Sequence, residues 1–538
     1  MMKLYRIILP VLAAALCGCS SGPEKVTTFP LSQLAVEGPL RQRIDANLDR
    51  LQDDIYQPPH VFEDLDWPGD FIGRTILGLT LESQAIYKKT ELLPMLIDSL
   101  PSKFNDKGYL GPDYWPAINE QQLSGHGWLL RALCEYYRWT GDKEVLKSVQ
   151  SVAKNLFVAG KGMYSSYPIS PEQRTNKGGE ASGSIAGQCG DWILSTDIGC
   201  VFIGMAGLID AYEFVPDKEI KAVIEELIAR FLEVDLVGIQ AQTHATLSAL
   251  RGLIKYSQMT GDESLMDEVL KRWQIYVSEG MTCCYANLNW FGRPDSWTEP
   301  CAIVDSYIVA FELWRSTMEP SFRDMAELIE VNALGHAQRS NGGFGCDNCP
   351  SEANPFLTIS IPEAHWCCTM RGAEGLSRMA EYSWAVKGST LYVPFYRQGA
   401  LCAEGLEVTE KTEYPFAGEI AFKFYKNEPG IDALMLPDLP WVDNTQILVN
   451  DEPVTPEVVE GMLCVRKAFV HGDEVVVKFD LCPRTDEWDG CKRLFYGSVM
   501  LGNRSSEEVG AFDMESSDVV PNMMSFMDHD CIQVLFKY

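Results

Sequence analysis

Two stretches of this sequence place thiols and a carboxylate at the starts of predicted helices. Cys367 and Cys368 are adjacent and directly precede a helix-like run, and Glu299 and Cys301 lie two residues apart before another such run. Three thiols and one carboxylate form a plausible four-ligand zinc set. Adjacent cysteines cannot both face one partner within a regular helix or strand, but they can at a loop-to-helix junction. We therefore expect the two junctions to meet in space and to form the functional site.

A second arrangement of the thiols competes with this one. Cys346 and Cys349 have the spacing of a zinc knuckle. Together with the adjacent cysteine pair they could form a structural four-cysteine zinc site or disulfides. Glu299 and Cys301 would then be an ordinary helix start, so the sequence leaves open whether Cys346 and Cys349 join the metal site.

The elements that must position these residues are mostly helical up to about residue 385. Twelve helices in hairpins predict a closed double ring with six inner and six outer helices, and an open superhelix of helix pairs is the alternative. Long polar insertions at 160–191 and 341–364 are expected to build the site at one end of the ring. Apolar residues recur at three-and-four spacing in the predicted helices Arg41–Asp54, Ile72–Lys88, Glu91–Ser99, Gly125–Thr140, Lys143–Phe157, Thr196–Phe214, Lys218–Leu232, Ala241–Met259, Ser264–Ser278, Cys301–Ser316, Ser321–His336 and Ala373–Ala385.

After residue 387 the pattern changes to short alternating segments that are separated by Gly and Pro turns, which predicts a C-terminal β-sandwich. Gly472-Asp473 is a hairpin signal. No polar cluster in this part requires a catalytic explanation. The predicted strands are Thr390–Tyr396, Leu406–Thr412, Glu419–Tyr425, Gln446–Val449, Met462–Phe469 and Glu474–Phe479.

The N-terminus has the features of a bacterial lipoprotein signal. Lys3 and Arg6 precede an apolar run, and Leu16-Cys17-Gly18-Cys19 resembles a lipobox with cleavage before Cys19 and a lipid on its thiol. An ordinary cleaved signal is the alternative. We expect a bacterial cell-envelope protein, periplasmic or at the surface, that touches the membrane only through its lipid anchor. The predicted division is a signal at 1–18, a tether at 19–40, a helical catalytic domain at 41–386 and a β-sandwich at 387–538.

Composition narrows the range of partners. The net charge of −30 argues against nucleic acid and anionic membrane surfaces. Beyond the signal, no apolar run approaches the ~20 residues of a membrane helix. Five single cysteines in apolar runs are predicted to be small buried residues: Cys134, Cys200, Cys402, Cys464 and Cys531.

Taken in order, several segments resemble glycoside hydrolase family 127, the β-L-arabinofuranosidase-like enzymes. The resemblance covers nearly the whole chain after the signal. It implies mostly α plus β structure, with an (α/α)6 barrel followed by a C-terminal β-sandwich. The segments that carry it are Ser124–Asp142, which contains a Gly-His pair, Thr243–Tyr256, Thr298-Glu-Pro-Cys301, His365-Trp-Cys-Cys368, Leu436–Val442, Val449–Asp451 and Gly472–Phe479.

The resemblance implies a retaining glycoside hydrolase that acts on a furanoside-like sugar of complex oligosaccharides or polysaccharides, such as a β-L-arabinofuranoside. It implies a zinc ion bound by Glu299, Cys301, Cys367 and Cys368, with Cys367 as the nucleophile. Other five-membered-ring sugars, including branched acidic ones, stay open as substrates. The candidate substrate-binding residues are His126, His244, Trp297, Glu330 and His365.

The chain departs from the family in two places. Cys-Cys-Thr-Met-Arg stands where the family has Cys-Cys-Pro-Pro-Asn, and the family's general acid, a Glu upstream of its Glu-x-Cys, has no counterpart. The only carboxylate of residues 281–296 is Asp295, so Glu180, Asp295 and Glu363 are candidate replacements for the acid/base. Two alternatives remain: a catalytically silent glycan-binding homologue with a structural zinc, and a glucuronyl hydrolase or lyase on a similar helical toroid.

Overall fold

The computed structural model describes residues 25–63, 66–174, 182–504, 519–521 and 532–537. None of the helices in these ranges is both long and apolar enough to cross a membrane. The helices are α1 (Gly38–Arg50), α2 (Asp70–Ala85), α3 (Leu92–Ser99), α4 (Glu120–Thr140), α5 (Lys143–Val152), α6 (Val201–Phe214), α7 (Lys218–Leu232), α8 (Thr243–Thr260), α9 (Ser264–Glu279), α10 (Pro300–Thr317), α11 (Pro320–Leu328), α12 (Gly335–Ala337) and α13 (Cys368–Glu381).

Six of these helices form a closed inner ring. Helices α2, α4, α6, α8, α10 and α13 contact one another in that order, and α13 returns to α2. Five outer helices, α3, α5, α7, α9 and α11, each pack on the inner helix that precedes them, and α1 covers α13. Because the ring closes, the predicted (α/α)6 barrel is confirmed and the open superhelix is not formed.

The helical hairpins turn where the sequence predicts. Helices α4 and α8 end at Gly141 and Gly261, whose φ values of 70° and 74° suit a residue without a Cβ. Asp142 and Asp217 accept hydrogen bonds from backbone N–H groups in the first turns of α5 and α7. Asp262 accepts the equivalent bond before α9. The outer helices α5, α7 and α9 therefore each start at an aspartate that accepts backbone hydrogen bonds.

The described residues of the C-terminal part form three sheets. A six-stranded sheet has the order β1-β9-β10-β14-β18-β17, and a seven-stranded sheet has the order β16-β15-β19-β13-β12-β11-β2. Their strands are β1 (Thr27–Thr28), β2 (Leu34–Val36), β9 (Ala385–Lys387), β10 (Thr390–Tyr392), β11 (Gly399–Ala403), β12 (Leu406–Thr412), β13 (Glu419–Asn427), β14 (Ala433–Pro437), β15 (Val442–Val449), β16 (Glu452–Val454), β17 (Glu457–Val459), β18 (Met462–Arg466) and β19 (Glu474–Leu481). Residues on alternate positions of β12, β13 and β19 are buried in a common core.

The third sheet joins the β region to the barrel, because β7 comes from the insertion at 341–364. Its strands are β20 (Pro483–Trp488), β21 (Cys491–Tyr496), β22 (Val499–Asn503), β23 (Val519–Pro521), β24 (Ile532–Gln533), β25 (Phe536–Lys537) and β7 (Phe356–Leu357). Small sheets within the barrel loops contain β3 (Ile118–Asn119), β4 (Ile185–Cys189), β5 (Trp192–Ser195), β6 (Cys346–Asp347) and β8 (Ile359–Ile361).

Three findings differ from the sequence expectations or extend them. The segment before α1, predicted as a tether, also contributes to the sheets, since β1 and β2 pair with β9 and β11 of the two large sheets. The hairpin predicted at Gly472-Asp473 is wrong, because β18 and β19, on either side of it, belong to different sheets. Cys134, Cys200 and Cys464 are buried, but Cys402 is exposed on β11, and Cys531 lies outside the described residues.

Candidate active site

The two cysteine-bearing junctions meet at one end of the barrel. Glu299 directly precedes α10, Cys301 lies in its first turn, and Cys367 and Cys368 stand at the start of α13. One ligand atom from each of the four residues lies within 4.8 Å of the others. The Sγ atom of Cys368 is 3.7 Å from that of Cys301 and 3.3 Å from that of Cys367. We call these four residues the thiol cluster.

Inner helices converge on the thiol cluster with their N-terminal ends. Besides α10 and α13, α2 contributes Asp70 from its first position and α8 contributes His244 from its second. The unpaired backbone N–H groups and the helix dipole favour negative charge at a helix N-terminus. The closed ring therefore creates an end that stabilises carboxylates and thiolates.

Arg74 of α2 supplies a positive charge to the cluster. Its Nη1 donates a hydrogen bond to Cys301 Sγ over 3.3 Å, and its Nε contacts Asp70 Oδ1 at 2.5 Å. Burial opposes ionisation of Cys301, but hydrogen bonds from Cys367 and Cys368 and the Arg74 charge hold its pKa well below its usual range. The hydrogen bond to Cys301 raises the pKa of Cys367, and burial raises that of Cys368. The side chains alone thus stabilise one thiolate.

His244 supports the cluster from α8. Its Nδ1 is 3.4 Å from Glu299 Oε1, its Nε2 is 3.5 Å from Asp305 Oδ2, and its ring stacks on Trp128. Although burial opposes protonation, the two carboxylates raise the pKa of His244 to about 9. Arg371 pairs with Asp305 at 2.8 Å from the other side. A buried charge network therefore fixes the position of Glu299.

A cavity of about 190 Å³ opens onto the thiol cluster. Cys367 is partly exposed, whereas Cys301 and Cys368 are buried, so Cys367 is the most exposed cysteine of the cluster. Most other side chains of the wall are aromatic or polar, which suits a small ligand that has both a hydrophobic face and hydroxyl groups. They include Trp67, Asp70, Ser182, Asp197, Gln242, His244, Asn289, Trp297 and Trp366.

The chemistry of the donor set fits zinc. Three sulfurs and one carboxylate oxygen supply the four ligands that a tetrahedral zinc site uses. Cys301, Cys367 and Cys368 are free thiols, so no disulfide consumes these sulfurs. Glu299, Cys301, Cys367 and Cys368 would hold the ion, and His244 would orient Glu299, as partners of ligating carboxylates do.

The competing four-cysteine knuckle is not assembled. Cys346 lines the same cavity, but Cys349 Sγ lies 3.6 Å from the backbone oxygen of Asn287, to which it donates. Among the described residues, the group of potential metal ligands contains neither of these cysteines. The geometry therefore favours the set that includes Glu299 and Cys301.

Two of the other predicted substrate-binding residues lie near the cavity. Trp297 lines it and packs edge-on against Trp290, with ring centroids 5.1 Å apart. His365 is partly exposed and packs edge-on against Trp366, which lines the cavity and is 48% exposed. These aromatic side chains provide walls on which a sugar ring can stack.

His126 and Glu330 are not brought to the thiol cluster. His126 accepts a hydrogen bond from the Leu110 N–H at its Nε2, and its Nδ1 hydrogen-bonds the Gln122 carbonyl oxygen. Burial lowers the pKa of His126 to about 4, so it is a neutral core histidine. Glu330 pairs with Arg397 and lines a different cavity of about 460 Å³.

The three candidate acids predicted from the sequence lie elsewhere or outside the described residues. Asp295 has a side chain that is 67% exposed, and both its oxygens pair with Arg293. Glu363 is held by Arg50, whose hydrogen bond, against the effect of burial, lowers the Glu363 pKa. Both would be deprotonated at neutral pH, which is the wrong state for a general acid. Glu180 lies outside the described residues.

Sequence reasoning did not single out Asp70, Arg74, Gln242 or Asp197. The i, i+4 spacing of Asp70 and Arg74 brings two side chains together on one face of a helix, but the predicted helix began at Ile72 and did not include Asp70. Asp197 lies at the start of the predicted helix Thr196–Phe214 and shortly before α6. That position in the sequence does not indicate that its side chain lines a cavity. Only the tertiary structure brings these side chains together.

Comparisons with known proteins bear on the family and the fold of the chain. Residues 115–381, about half of the chain, match the family model described as the β-L-arabinofuranosidase, GH127 catalytic domain. No curated protein sequence matches. A solved glycoside hydrolase superposes with a TM-score of 0.68 at 14% identity, covering 89% of this chain and 83% of that one.

Two solved family 127 enzymes give similar values. A GH127 β-arabinofuranosidase has a TM-score of 0.67 at 16% identity, with 89% of this chain and 86% of that chain covered. A GH127 β-L-arabinofuranosidase from Geobacillus stearothermophilus T6 has a TM-score of 0.63 at 15% identity, with 87% and 86% covered. At such identities the structures establish the shared fold, and the family model establishes the membership. The chain is therefore a divergent member of glycoside hydrolase family 127, and it is a glycoside hydrolase.

Proposed function

We propose that this glycoside hydrolase releases a terminal five-membered-ring sugar, a β-L-arabinofuranoside or a close analogue, from complex glycans with retention of configuration. Cys367 is the nucleophile, and zinc is the cofactor. The observation that carries the proposal is the thiol cluster at the cavity wall, where Cys367 and Cys368 line the cavity and Cys367 is the more exposed residue.

The cavity supports a single sugar unit as the specificity element. Its volume of about 190 Å³ is below the ~300–1,000 Å³ of typical ligand sites, so it suits one ring better than a long chain. The aromatic wall residues Trp297 and Trp366 offer stacking faces, and Gln242 and Asn289 offer polar atoms. The description of the matched family model and the solved family members favour arabinofuranose as the first substrate to test.

The reaction divides into two displacements at the anomeric carbon. In the first, the Cys367 sulfur bonds to that carbon as the glycosidic C–O bond breaks. In the second, a water oxygen bonds to the same carbon and the sulfur leaves, so two inversions give net retention. Zinc, when bound, would keep the cysteine ligands deprotonated. Arg74 stabilises the Cys301 thiolate, and His244 holds Glu299 in place.

The stereochemistry of the first product tests the proposal. The purified protein with zinc is incubated with p-nitrophenyl β-L-arabinofuranoside and followed by ¹H NMR, with the α-L-anomer as the control substrate. We expect the β-anomer of free arabinose to appear first and then to mutarotate. The α-anomer appearing first would overturn retention, and no hydrolysis of any furanoside in a panel would overturn the substrate class.

The proposal includes a location in the bacterial cell envelope, as a lipoprotein anchored through Cys19. It is supported by the basic residues, the apolar run and the lipobox-like sequence, all of which lie outside the described residues. We expect labelled palmitate to be incorporated into the wild-type protein and not into Cys19→Ala. Equal labelling of both proteins, or of neither, would contradict the lipid anchor.

A further inference from the structure

A retaining glycosidase needs a carboxyl group that protonates the leaving oxygen and later activates water. The segment at 281–296 does not provide one at the cavity, since its single carboxylate, Asp295, is exposed and paired with Arg293. The described wall of the cavity contains three carboxyl groups: those of Asp70, Asp197 and Glu299. The general acid must be a carboxyl group that can hold a proton, so the partners of these three groups are compared.

Two of the three are committed to other partners. Both carboxylate oxygens of Asp70 accept hydrogen bonds from Arg74, at 2.5 and 3.0 Å, so both oxygens are engaged by one guanidinium. Glu299 belongs to the thiol cluster and faces the His244 imidazole at 3.4 Å. A carboxylate that binds zinc cannot also carry the transferable proton.

Asp197 differs from both. It lies between β5 and α6, its residue surface is 7% exposed, and its side chain lines the cavity. Oδ1 accepts hydrogen bonds from Ser182 Oγ at 3.1 Å and from the Gly183 N–H at 3.3 Å. Among the described residues no cation lies within ion-pair distance of Asp197. The carboxyl group is therefore held in position by neutral donors.

The electrostatic environment of Asp197 favours the protonated form. Burial, together with the negative charge of Glu299, raises the pKa of Asp197 to about 7. A carboxylic acid whose pKa lies near the working pH can both give and take a proton within one catalytic cycle. Neither Asp70 nor Glu299 combines this environment with the absence of a committed partner.

We propose that Asp197 is the general acid/base of the reaction set out above, an assignment that rests on the proposed function. In the first step the Asp197 O–H proton passes to the glycosidic oxygen. The C–O electron pair stays on that oxygen, and the Cys367 sulfur bonds to the anomeric carbon. In the second step the Asp197 carboxylate takes a proton from the water that bonds to this carbon, and sulfur leaves with the electrons of its bond. Asp197 thus replaces, from a different loop, the Glu that 281–296 lacks.

The dependence on the leaving group tests this role. Asp197→Asn is compared with the wild type on a methyl and a 2,4-dinitrophenyl β-L-arabinofuranoside, because the second leaving group departs without a proton. We expect kcat/KM to fall ~10²–10⁴-fold on the methyl glycoside and far less on the dinitrophenyl glycoside. Asp191→Asn is the matched control, an exposed aspartate in the same segment, and it is expected to match the wild type.

Azide provides a second, independent readout. Azide attacks the anomeric carbon without needing a general base, so it should raise kcat of Asp197→Asn on the dinitrophenyl substrate and yield a β-configured glycosyl azide. The wild type and Asp191→Asn should not respond. This signature would not arise from a folding defect, and rescue also shows that the variant is folded and keeps its nucleophile.

Each other outcome overturns the assignment. An Asp197→Asn variant that hydrolyses both substrates like the wild type, or that loses both equally without azide rescue, is not missing an acid/base. Loss with azide rescue in Glu180→Gln but not in Asp197→Asn would move the role to Glu180. A wild-type protein that hydrolyses no furanoside would overturn the proposed function itself, and this assignment with it; any wild-type hydrolysis separates the two failures.

Discussion

The two ends of α13 border two cavities of different character. The N-terminal end carries the thiol cluster and borders a cavity of about 190 Å³. Near the C-terminal end, Met379 lines a cavity of about 460 Å³ against the β region, together with Glu330 and Arg397. The larger cavity is the less suited to chemistry, and the reason lies in how its charges are satisfied.

At the C-terminal end the charges are matched. Arg397 pairs with Glu330, donates to the Met379 carbonyl oxygen at 2.7 Å and contacts the Tyr307 hydroxyl at 3.2 Å. Such a pair is complete without a ligand. At the N-terminal end, the ligand atoms of three cysteines and one carboxylate lie within 4.8 Å of one another. Negative charges this close repel one another, and a bound cation would stabilise them. The functional end of the barrel is therefore indicated by a cluster of potential metal ligands, and not by the volume of its cavity.

The largest expected effect comes from the nucleophile. Cys367→Ser should lower kcat by ~10⁴-fold or more, because a serine hydroxyl is a far poorer nucleophile than a thiolate. Hydrolysis of an aryl β-L-arabinofuranoside measures it. Cys402→Ser, which changes an exposed thiol on β11, is the control and should be fully active. Near-normal activity of Cys367→Ser would remove this sulfur from the reaction.

Metal content separates the thiol cluster from the knuckle arrangement. We expect about one zinc per purified chain, lost in Cys301→Ala and retained in Cys349→Ala, because only Cys301 belongs to the four-ligand group. Metal analysis of the reduced protein measures this directly. The reverse pattern, with zinc lost only in Cys349→Ala, would assign the metal to a structural knuckle.

The sequence predicted an element of the fold well when the contacts that determine that element are local in the chain. Helix α7 was predicted at Lys218–Leu232, the bounds the structure has, because its periodicity, cap and length are all local features. The pairing of β1 and β2 with sheets more than 300 residues away could not be predicted, because a two- or three-residue strand does not specify its partner. The false hairpin at Gly472 has the same origin: the turn is real, but the flanking strands join different sheets.

The two histidines show the same limit at the site. Both His126 and His244 lie near the starts of inner helices and looked equivalent in the sequence. His126 meets a backbone N–H and a backbone carbonyl, whereas His244 meets the carboxylates of Glu299 and Asp305. Those neighbours come from other elements, so only the tertiary structure distinguishes a core histidine from one that supports the cluster.

The ion pair between Arg397 and Glu330, near the C-terminal end of α13, should contribute to stability and not to turnover. Arg397→Met leaves the buried Glu330 carboxylate without its partner, which typically costs ~3–5 kcal/mol. Denaturant unfolding should show this loss, while kcat/KM of the folded protein should stay unchanged. A fall in kcat/KM with stability preserved would mean that the Glu330 cavity takes part in substrate binding, as the sequence analysis expected.

The smallest effect concerns His126, and it appears in the pH dependence of stability. Its pKa is about 4 in the folded protein and about 6.5 in the unfolded chain, so the unfolded state binds the proton first as the pH falls. The contribution of this group to the free energy of unfolding therefore has its full value above pH 6.5. It is lost progressively as the pH falls from about 6.5 to about 4. His126→Gln should lose about 1 kcal/mol at pH 7, for one broken hydrogen bond, and should show a smaller decrease than the wild type across this window.

Two outcomes would contradict this prediction. Parallel wild-type and variant curves of unfolding free energy against pH would contradict a neutral, buried His126. A large loss of kcat/KM in the folded variant would place this histidine in the substrate site after all.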